Sequence, residues 1–185
     1  MYLPETFVER DAAVLARVIR EESFATLISQ HAGAPFASHV PLLLEEGTRS
    51  AEGELRGRLI GHVARANPQW KSADGETVLA IFHGPHAYVS PTCYGQGDAV
   101  PTWNYIAVHV SGKLTIIEDR ERLREIVART VEYFEATREP RWSLEQASEE
   151  FIEKLLGGIV GFEIEIERVE GKFKLSQNQT EQRRA

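Results

Sequence analysis

The sequence contains a single cysteine, Cys93, among its 185 residues. One cysteine cannot build an internal disulfide framework, and it excludes the zinc and iron–sulfur sites that need several thiolates. No basic residue lies near Cys93 in the sequence to activate its thiol, which argues against a catalytic cysteine.

Long apolar runs are also lacking. No uncharged segment approaches the ~18 apolar residues that a membrane span needs. The first five residues, MYLPE, have neither the basic region nor the apolar region of a signal peptide. The sequence therefore predicts a protein of the cytoplasm.

Basic residues are in the minority, since 21 Lys and Arg against 28 Asp and Glu leave a formal net charge of −7. A domain that binds DNA on its own usually presents a basic surface to the phosphates, so direct DNA binding is the weaker expectation here. With 42% hydrophobic residues the chain has material for one core. We expect a single domain over residues 1–178 and a polar tail over residues 179–185.

Two hydrophobic periodicities divide the chain into elements. Helical spacing predicts helices over residues 11–22, 120–138 and 144–156, and a short helix after Asn67 and Pro68. Apolar or alternating segments predict strands over residues 24–29, 36–45, 54–64, 77–90, 100–117 and 159–169, with a bulge or a turn at Gly112. Because neighbouring strands are joined by short loops, we expect a mainly β fold, an antiparallel barrel or strongly bent sheet with helices outside it.

The densest polar cluster is the segment GHVARANPQWK over residues 61–71. It places His62 and Arg65 at the end of a strand, directly before a helix that begins near Asn67. A helix start with a nearby arginine and lysine, here Lys71, is a ready site for an anion such as a phosphate. The alternative is a capped helix whose arginine lies on the surface.

A second polar segment, FASHVP, lies within a predicted strand over residues 36–41. Pro41 lacks a backbone N–H, which is typical of an edge strand. Ser38 and His39, together with the free backbone groups of such an edge, suit the polar rim of a planar heterocycle. A core histidine that bonds to a neighbour is the alternative interpretation.

Histidines occur in several of the predicted strands. No metal-ligand spacing such as HExxH connects them, and strand residues one or two positions apart do not converge easily on one ion. The sequence therefore predicts no metal site at these residues: His39, His62, His83, His86 and His109.

Two further segments carry aromatic and amide side chains. Trp103 and Tyr105 project to one side of a strand and Asn104 to the other. They suit a ligand wall or a dimer contact, and they equally suit the edge of a core. Residues 170–178, EGKFKLSQN, close the last strand with cationic and polar groups that suit an anionic cofactor or a partner subunit.

Five segments in this order resemble the PaiB family, whose members are described as FMN-binding negative transcriptional regulators of the split-barrel flavoprotein type. The segments are ASHVP (37–41), GHVARANPQW (61–70), FHGPHAYVSP (82–91), VPTWNY (100–105) and EGKFKLSQN (170–178). The resemblance covers nearly the whole chain. It implies a six-stranded antiparallel split β-barrel with external helices, a homodimer, and FMN in a cleft at the dimer interface.

The resemblance also implies roles for individual residues. It puts the phosphate and ribityl chain near Arg65, Asn67 and Lys71. The isoalloxazine edge falls near Ser38, His39 and Val40, with His62 beside them. Seven residues would line the cleft from either subunit: Trp103, Asn104, Tyr105, Lys172, Lys174, Ser176 and Gln177.

The function implied is that of a dimeric FMN-binding protein that acts as a negative transcriptional regulator, directly or through a flavin-dependent redox activity. The alternative is an FMN-dependent oxidoreductase that acts on a small molecule without direct DNA binding. A third alternative is another anionic planar ligand, such as haem or pyridoxal phosphate, in the same barrel. No residue pair in the sequence demands the role of a catalytic base, so none is assigned.

Overall fold

The computed structural model describes residues 1–94 and 99–180, so the last five residues of the predicted polar tail lie outside it. The helices are α1 (Ala12–Glu21), α2 (Gln69–Ala73), α3 (Arg120–Glu135) and α4 (Glu149–Gly157). The strands are β1 (Val8–Glu9), β2 (Phe24–His31), β3 (Ala34–Pro41), β4 (Leu43–Glu46), β5 (Gly57–Ala64), β6 (Thr77–Val89), β7 (Thr102–Ile117) and β8 (Ile159–Lys174). Within these residues no helix is long and apolar enough to cross a bilayer.

All strands belong to one antiparallel sheet with the order β3-β2-β6-β7-β8-β5-β4, and β1 pairs with β8. The two ends of this path, β3 and β4, follow each other in the chain and are separated only by Leu42. The sheet therefore curls round until its ends meet, without a closed ladder of hydrogen bonds. The expected mainly β antiparallel fold with external helices is confirmed.

The strand count differs from the expected six because the predicted strand over residues 36–45 is broken. Pro41 has no N–H to donate, and the backbone N–H of Leu42 turns to the carbonyl of Ser23 at 2.8 Å. The chain thus leaves the ladder with β2 and enters the ladder with β5. The two-residue strand β1 adds one further strand at the edge of β8.

The interior of the curled sheet holds the main core, which includes the fully buried Phe82 and Phe162. Helix α1 packs against this core through Leu15 and Ile19, and Asp11 caps its start, since Asp11 Oδ1 accepts from Ala13 N at 2.7 Å. The helix approaches β8 so closely that a Cβ at Gly171 would lie 2.3 Å from the Leu15 side chain.

Helices α3 and α4 pack on the outer face of the sheet. Ile126 of α3 lies against Ile60 of β5, and Leu156 of α4 lies against Leu123 of α3. The helix predicted over residues 144–156 begins later than expected, because Ser148 caps α4 through a bond from Phe151 N at 3.4 Å. A single turn of 3-10 helix precedes it.

The outer face of β2, β6 and β7 keeps large aromatic side chains exposed. Phe24 is 68% exposed, Tyr88 55% and Trp103 54%. Thr26 of β2, Ile81 of β6 and His109 of β7 are direct cross-strand partners, so alternation places Phe24 and Trp103 on one face. The register shift between His83 and His86 brings Tyr88 to the same face, opposite Trp103. We call Phe24, Tyr88 and Trp103 the aromatic face. The predicted bulge at Gly112 is confirmed by a register shift between Ser111 and Gly112.

Candidate cofactor site

The first polar cluster joins the end strand β3 to the turn after β5. Asn67 Nδ2 donates to Ser38 Oγ at 2.8 Å, and Asn67 Oδ1 accepts from Gln69 N at 2.9 Å. The predicted short helix is therefore present and begins beside Asn67. With five residues α2 is little more than one turn, so its dipole is small, and side chains must supply most of the attraction for an anion.

Gln69 is the residue of this cluster that the sequence did not reveal. It is 1% exposed, and its Nε2 donates to Leu27 O at 3.2 Å, Ser29 Oγ at 3.0 Å and Phe36 O at 3.3 Å. Its Oε1 is buried without a partner among the described residues. Gln69 therefore ties α2 to both β2 and β3 and sets the position of the β3 edge.

Both cations of the segment, Arg65 and Lys71, already have partners in the structure. Arg65 is exposed, and its guanidinium donates to Gly157 O and Ile159 O, both at 3.0 Å, at the C-terminal end of α4. Lys71 Nζ lies 5.5 Å from the centre of the Trp70 ring. The structure brings Arg65 and Lys71 to the turn that holds Asn67, with Arg65 directed toward α4.

Ser38 and His39 lie on opposite faces of β3. Val40, two residues from Ser38, is 7% exposed and belongs to the core. His39 is exposed on the other face, where its Nδ1 lies 3.2 Å from Thr26 Oγ1 and its ring lies 6.4 Å from that of Phe24.

His62 lies away from this cluster. It is on the face of β5 that carries Ile60 and is covered by α3, whereas Ser38 is on the face that carries Val40. The His62 Nδ1 is buried with no partner among the described residues, and burial lowers the pKa of its imidazole. The structure thus does not bring His62 together with Ser38.

A second group of predicted residues surrounds a shallow cavity on the outer face of β7 and β8, with a volume of about 660 Å³. We call it the Lys172 cavity. Its Lys172 Nζ donates to Tyr2 O at 2.9 Å and lies 5.3 Å from the Tyr2 ring and 5.5 Å from the Tyr105 ring. The full lining is Met1, Tyr2, His83, Gly84, His86, Trp103, Tyr105, Ile106, Ala107, His109 and Lys172.

Histidines contribute to this cavity without forming a metal cluster. Nowhere in residues 1–94 and 99–180 are three His, Cys, Asp or Glu side chains grouped so as to hold a metal ion. Burial, with the N-terminal ammonium adding to it, lowers the pKa of His109 despite the nearby Glu170 carboxylate.

The other predicted cleft residues bond mainly to one another or to their own strands. Lys174 Nζ donates to Trp103 O at 2.7 Å and to Thr102 Oγ1. Asn104 Nδ2 donates to Ser176 Oγ at 2.9 Å. Gln177 accepts from Leu175 N at 2.7 Å, within its own turn. These contacts fasten the end of β8 to the start of β7.

Comparisons with known proteins identify the family of the chain. Residues 1–168 match the family described as "Putative FMN-binding domain". The chain is 37% identical over 182 residues to the Bacillus subtilis "Protease synthase and sporulation protein PAI 2", covering 98% of this chain and 84% of the relative.

Solved structures share the fold at low sequence identity. The flavocytochrome Anf3 of Azotobacter vinelandii superposes with a TM-score of 0.67 at 13% identity, over 90% of this chain and 69% of its own. A FAD and heme binding protein of Mycobacterium smegmatis gives a TM-score of 0.65 at 14% identity, over 90% of this chain and 73% of its own. These likenesses concern the fold, whereas the family match and the B. subtilis relative cover the sequence itself. The chain therefore belongs to the PaiB family of FMN-binding proteins.

Proposed function

We propose that the Ser38–Asn67 cluster holds FMN and that the chain works as a homodimer with a flavin-dependent redox activity toward a small molecule. The position of β3 carries the proposal. Among the described strands β3 pairs only with β2, so backbone N–H and C=O groups on its other edge are free of ladder bonds. Such an edge offers alternating donors and acceptors, which the rim of an isoalloxazine requires.

The residues around this edge also fit the rest of the cofactor. Ser38 and Asn67 offer a hydroxyl and an amide to a ribityl chain, and Lys71 and Arg65 are the cations in the same turn. Gln69 holds the turn and the edge at a fixed separation. FMN supplies hydride or electron transfer when it is bound, and the protein contributes binding and orientation.

The exposed aromatic face favours contact with a second copy of the chain. Within one protomer the two groups lie toward opposite ends of β8. Ala64, which precedes the turn that holds Asn67, pairs with Ile159 at the start of β8, whereas Lys172 lies near the end of that strand. The two groups of predicted residues are therefore apart from each other within one protomer. A two-fold contact through the aromatic face would place the cavity of one protomer against the β3 edge of the other.

Negative regulation of transcription is then indirect in this proposal, because the arginines of α3 are already paired with carboxylates. Arg124 of α3 contacts Glu149, Arg120 contacts Glu153, and Arg129 contacts Glu45. These pairs leave α3, the longest helix among the described residues, without free arginines for phosphates in a chain of net charge −7. We expect no retention of promoter DNA at low salt, with or without FMN, and salt-dependent retention would overturn the indirect route.

FMN titration followed by desalting tests the cofactor site. We expect near-stoichiometric binding to the wild-type protein and at least tenfold weaker binding for Asn67→Asp, which keeps the acceptor for Gln69 N but replaces the amide donor with a negative charge. Thr115→Ala, at an exposed position on β7, is the control and should bind as the wild type does. Equal FMN affinity of Asn67→Asp and wild type would refute the location.

The molar mass of the protein, measured by light scattering as it elutes from a gel-filtration column, tests the dimer. Phe24→Asp places a charge on the aromatic face, so we expect it to raise the dimer dissociation constant at least tenfold. Leu155→Asp is the matched control, because Leu155 is 52% exposed on α4, away from this face. A monomeric wild-type protein, or equal effects of the two variants, would contradict the proposed interface.

A further inference from the structure

The fold alone does not explain why Lys172 is buried in the Lys172 cavity. The residue is 8% exposed, and no carboxylate lies within salt-bridge distance of it in residues 1–94 and 99–180. The nearby Glu170 is instead paired with the amine of Met1 at 2.9 Å and with Arg168 at 3.6 Å. A lysine is almost never buried without an anionic partner, since the loss of hydration is costly.

The hydrogen bonds of Lys172 are also incomplete. An ammonium carries three donors, and the Tyr2 carbonyl accepts one of them at 2.9 Å. The rings of Tyr2 and Tyr105, at 5.3 and 5.5 Å, stabilise the positive charge through their faces but accept no conventional hydrogen bond. The ammonium therefore has donors available for an anion that enters the cavity.

The walls of the cavity restrict which anion fits. No Asp or Glu belongs to the described lining, although the whole chain has a net charge of −7. The lining combines histidines with the rings of Trp103 and Tyr105, and the Trp103 ring lies 6.4 Å from that of His86. Aromatic walls favour a planar ring, and one buried cation without a carboxylate partner favours a single negative group.

We propose that the Lys172 cavity binds a small aromatic carboxylate, with its carboxylate on the Lys172 ammonium and its ring against Tyr105 and Trp103. Within a protomer the cavity lies near the end of β8, whereas the turn that holds Asn67 lies near the start of that strand, so binding itself does not depend on FMN. Only the role of this ligand as the substrate of the redox activity rests on the function proposed above.

Calorimetric titration with benzoate tests the site, and benzamide serves as the uncharged probe of the same shape. We expect benzoate to bind the wild-type protein, with and without FMN, and benzamide to bind at least tenfold more weakly. Lys172→Met should lower the affinity for benzoate at least tenfold. Lys113→Met, at an exposed position on β7, is the matched control and should leave the affinity unchanged.

Several results would overturn the proposal. They are no detectable benzoate binding at 10 mM ligand, equal affinities for benzoate and benzamide, or full benzoate affinity in a folded Lys172→Met variant. Displacement of benzoate by one equivalent of FMN would also overturn it, because the ammonium would then belong to the cofactor site. If Lys172→Met does not fold, the comparison of benzoate with benzamide on the wild type and on Lys172→Arg still decides the question. Failure of FMN binding alone would leave the benzoate result intact and would count only against the cofactor site.

Discussion

Replacement of Gln69 by leucine is expected to destabilise the protein by about 2 kcal/mol, at a net ~1 kcal/mol for each of two hydrogen bonds. Three acceptors surround Nε2, but the amide has two hydrogens and makes two full bonds at a time. The variant also leaves the hydroxyl of Ser29, which is 6% exposed, without this donor. The cost of this unpaired hydroxyl offsets the gain from removing the unpartnered Oε1 of Gln69, since each unsatisfied buried group costs ~1–3 kcal/mol.

Thermal unfolding of the cofactor-free protein measures this effect directly. A chain of this size loses ~2–4 °C in Tm per kcal/mol, so Gln69→Leu should melt about 4–8 °C lower than wild type. Gln30→Leu, an exposed change on β2, is the matched control and should stay within about 0.5 kcal/mol of wild type.

A second substitution separates the bond to Ser29 from general packing. Ser29→Ala in the Gln69→Leu background should restore part of the lost stability, because it removes the hydroxyl that the first change left unpaired. Equal melting of Gln69→Leu and wild type, or an additive loss in the double variant, would refute the assignment of Gln69 as the tie between α2 and the strands.

Three further changes test the charges and caps of the fold. Burial opposes ionisation of Glu45, but Arg129 and Arg122 outweigh that effect and lower the pKa of the carboxyl group. The stabilisation from the Glu45 carboxylate is therefore complete above pH ~4.5 and is lost as the pH falls through the lowered pKa. Glu45→Gln should lower the free energy of unfolding at pH 7 and weaken its dependence on acidic pH, as measured by urea unfolding. Burial lowers the pKa of His62, so below pH ~6.5 the unfolded state binds more protons than the folded state and the protein becomes less stable as the pH falls. His62→Leu should make the free energy of unfolding less dependent on pH between pH 7 and pH 5. Arg65→Ala removes two hydrogen bonds to carbonyls at the end of α4. It should lower the free energy of unfolding by about 1 kcal/mol, because both bonds lie at an exposed position. A loss above about 3 kcal/mol would contradict this expectation.

Much of the fold follows from local chemistry. Asp11 before an amphipathic segment specifies the start of α1, and the structure contains that cap. The break at Leu42 was not predicted, because a continuous apolar segment gives no sign of where a strand changes partners. What decides it is a tertiary bond, from Leu42 N to Ser23 O.

The candidate site shows the same division between local and tertiary information. The sequence identified the segments that contain Ser38 and Asn67, and the two side chains meet in the structure. It did not separate His62 from Ser38, because alternation states which residues of one strand share a face but not which face is inside. The burial of Gln69 has no sequence signal at all, since a polar residue after Asn-Pro in a turn is usually solvated.

The distribution of cations also bears on what kind of anion the protein binds. Arginines of α3 are paired with glutamates of β4 and α4. The pair with β4 fastens α3 to the barrel, and the pair with α4 joins the two helices. Using them for DNA would break those contacts and expose the carboxylates to the phosphates. Lys172 is different, because within the described chain it has no carboxylate partner and is enclosed by aromatic rings. A buried single cation suits one small ligand, whereas a polyanion needs an exposed row of charges. At these residues, the paired arginines of α3 and the enclosed Lys172, the structure therefore favours a small anion over a polyanion.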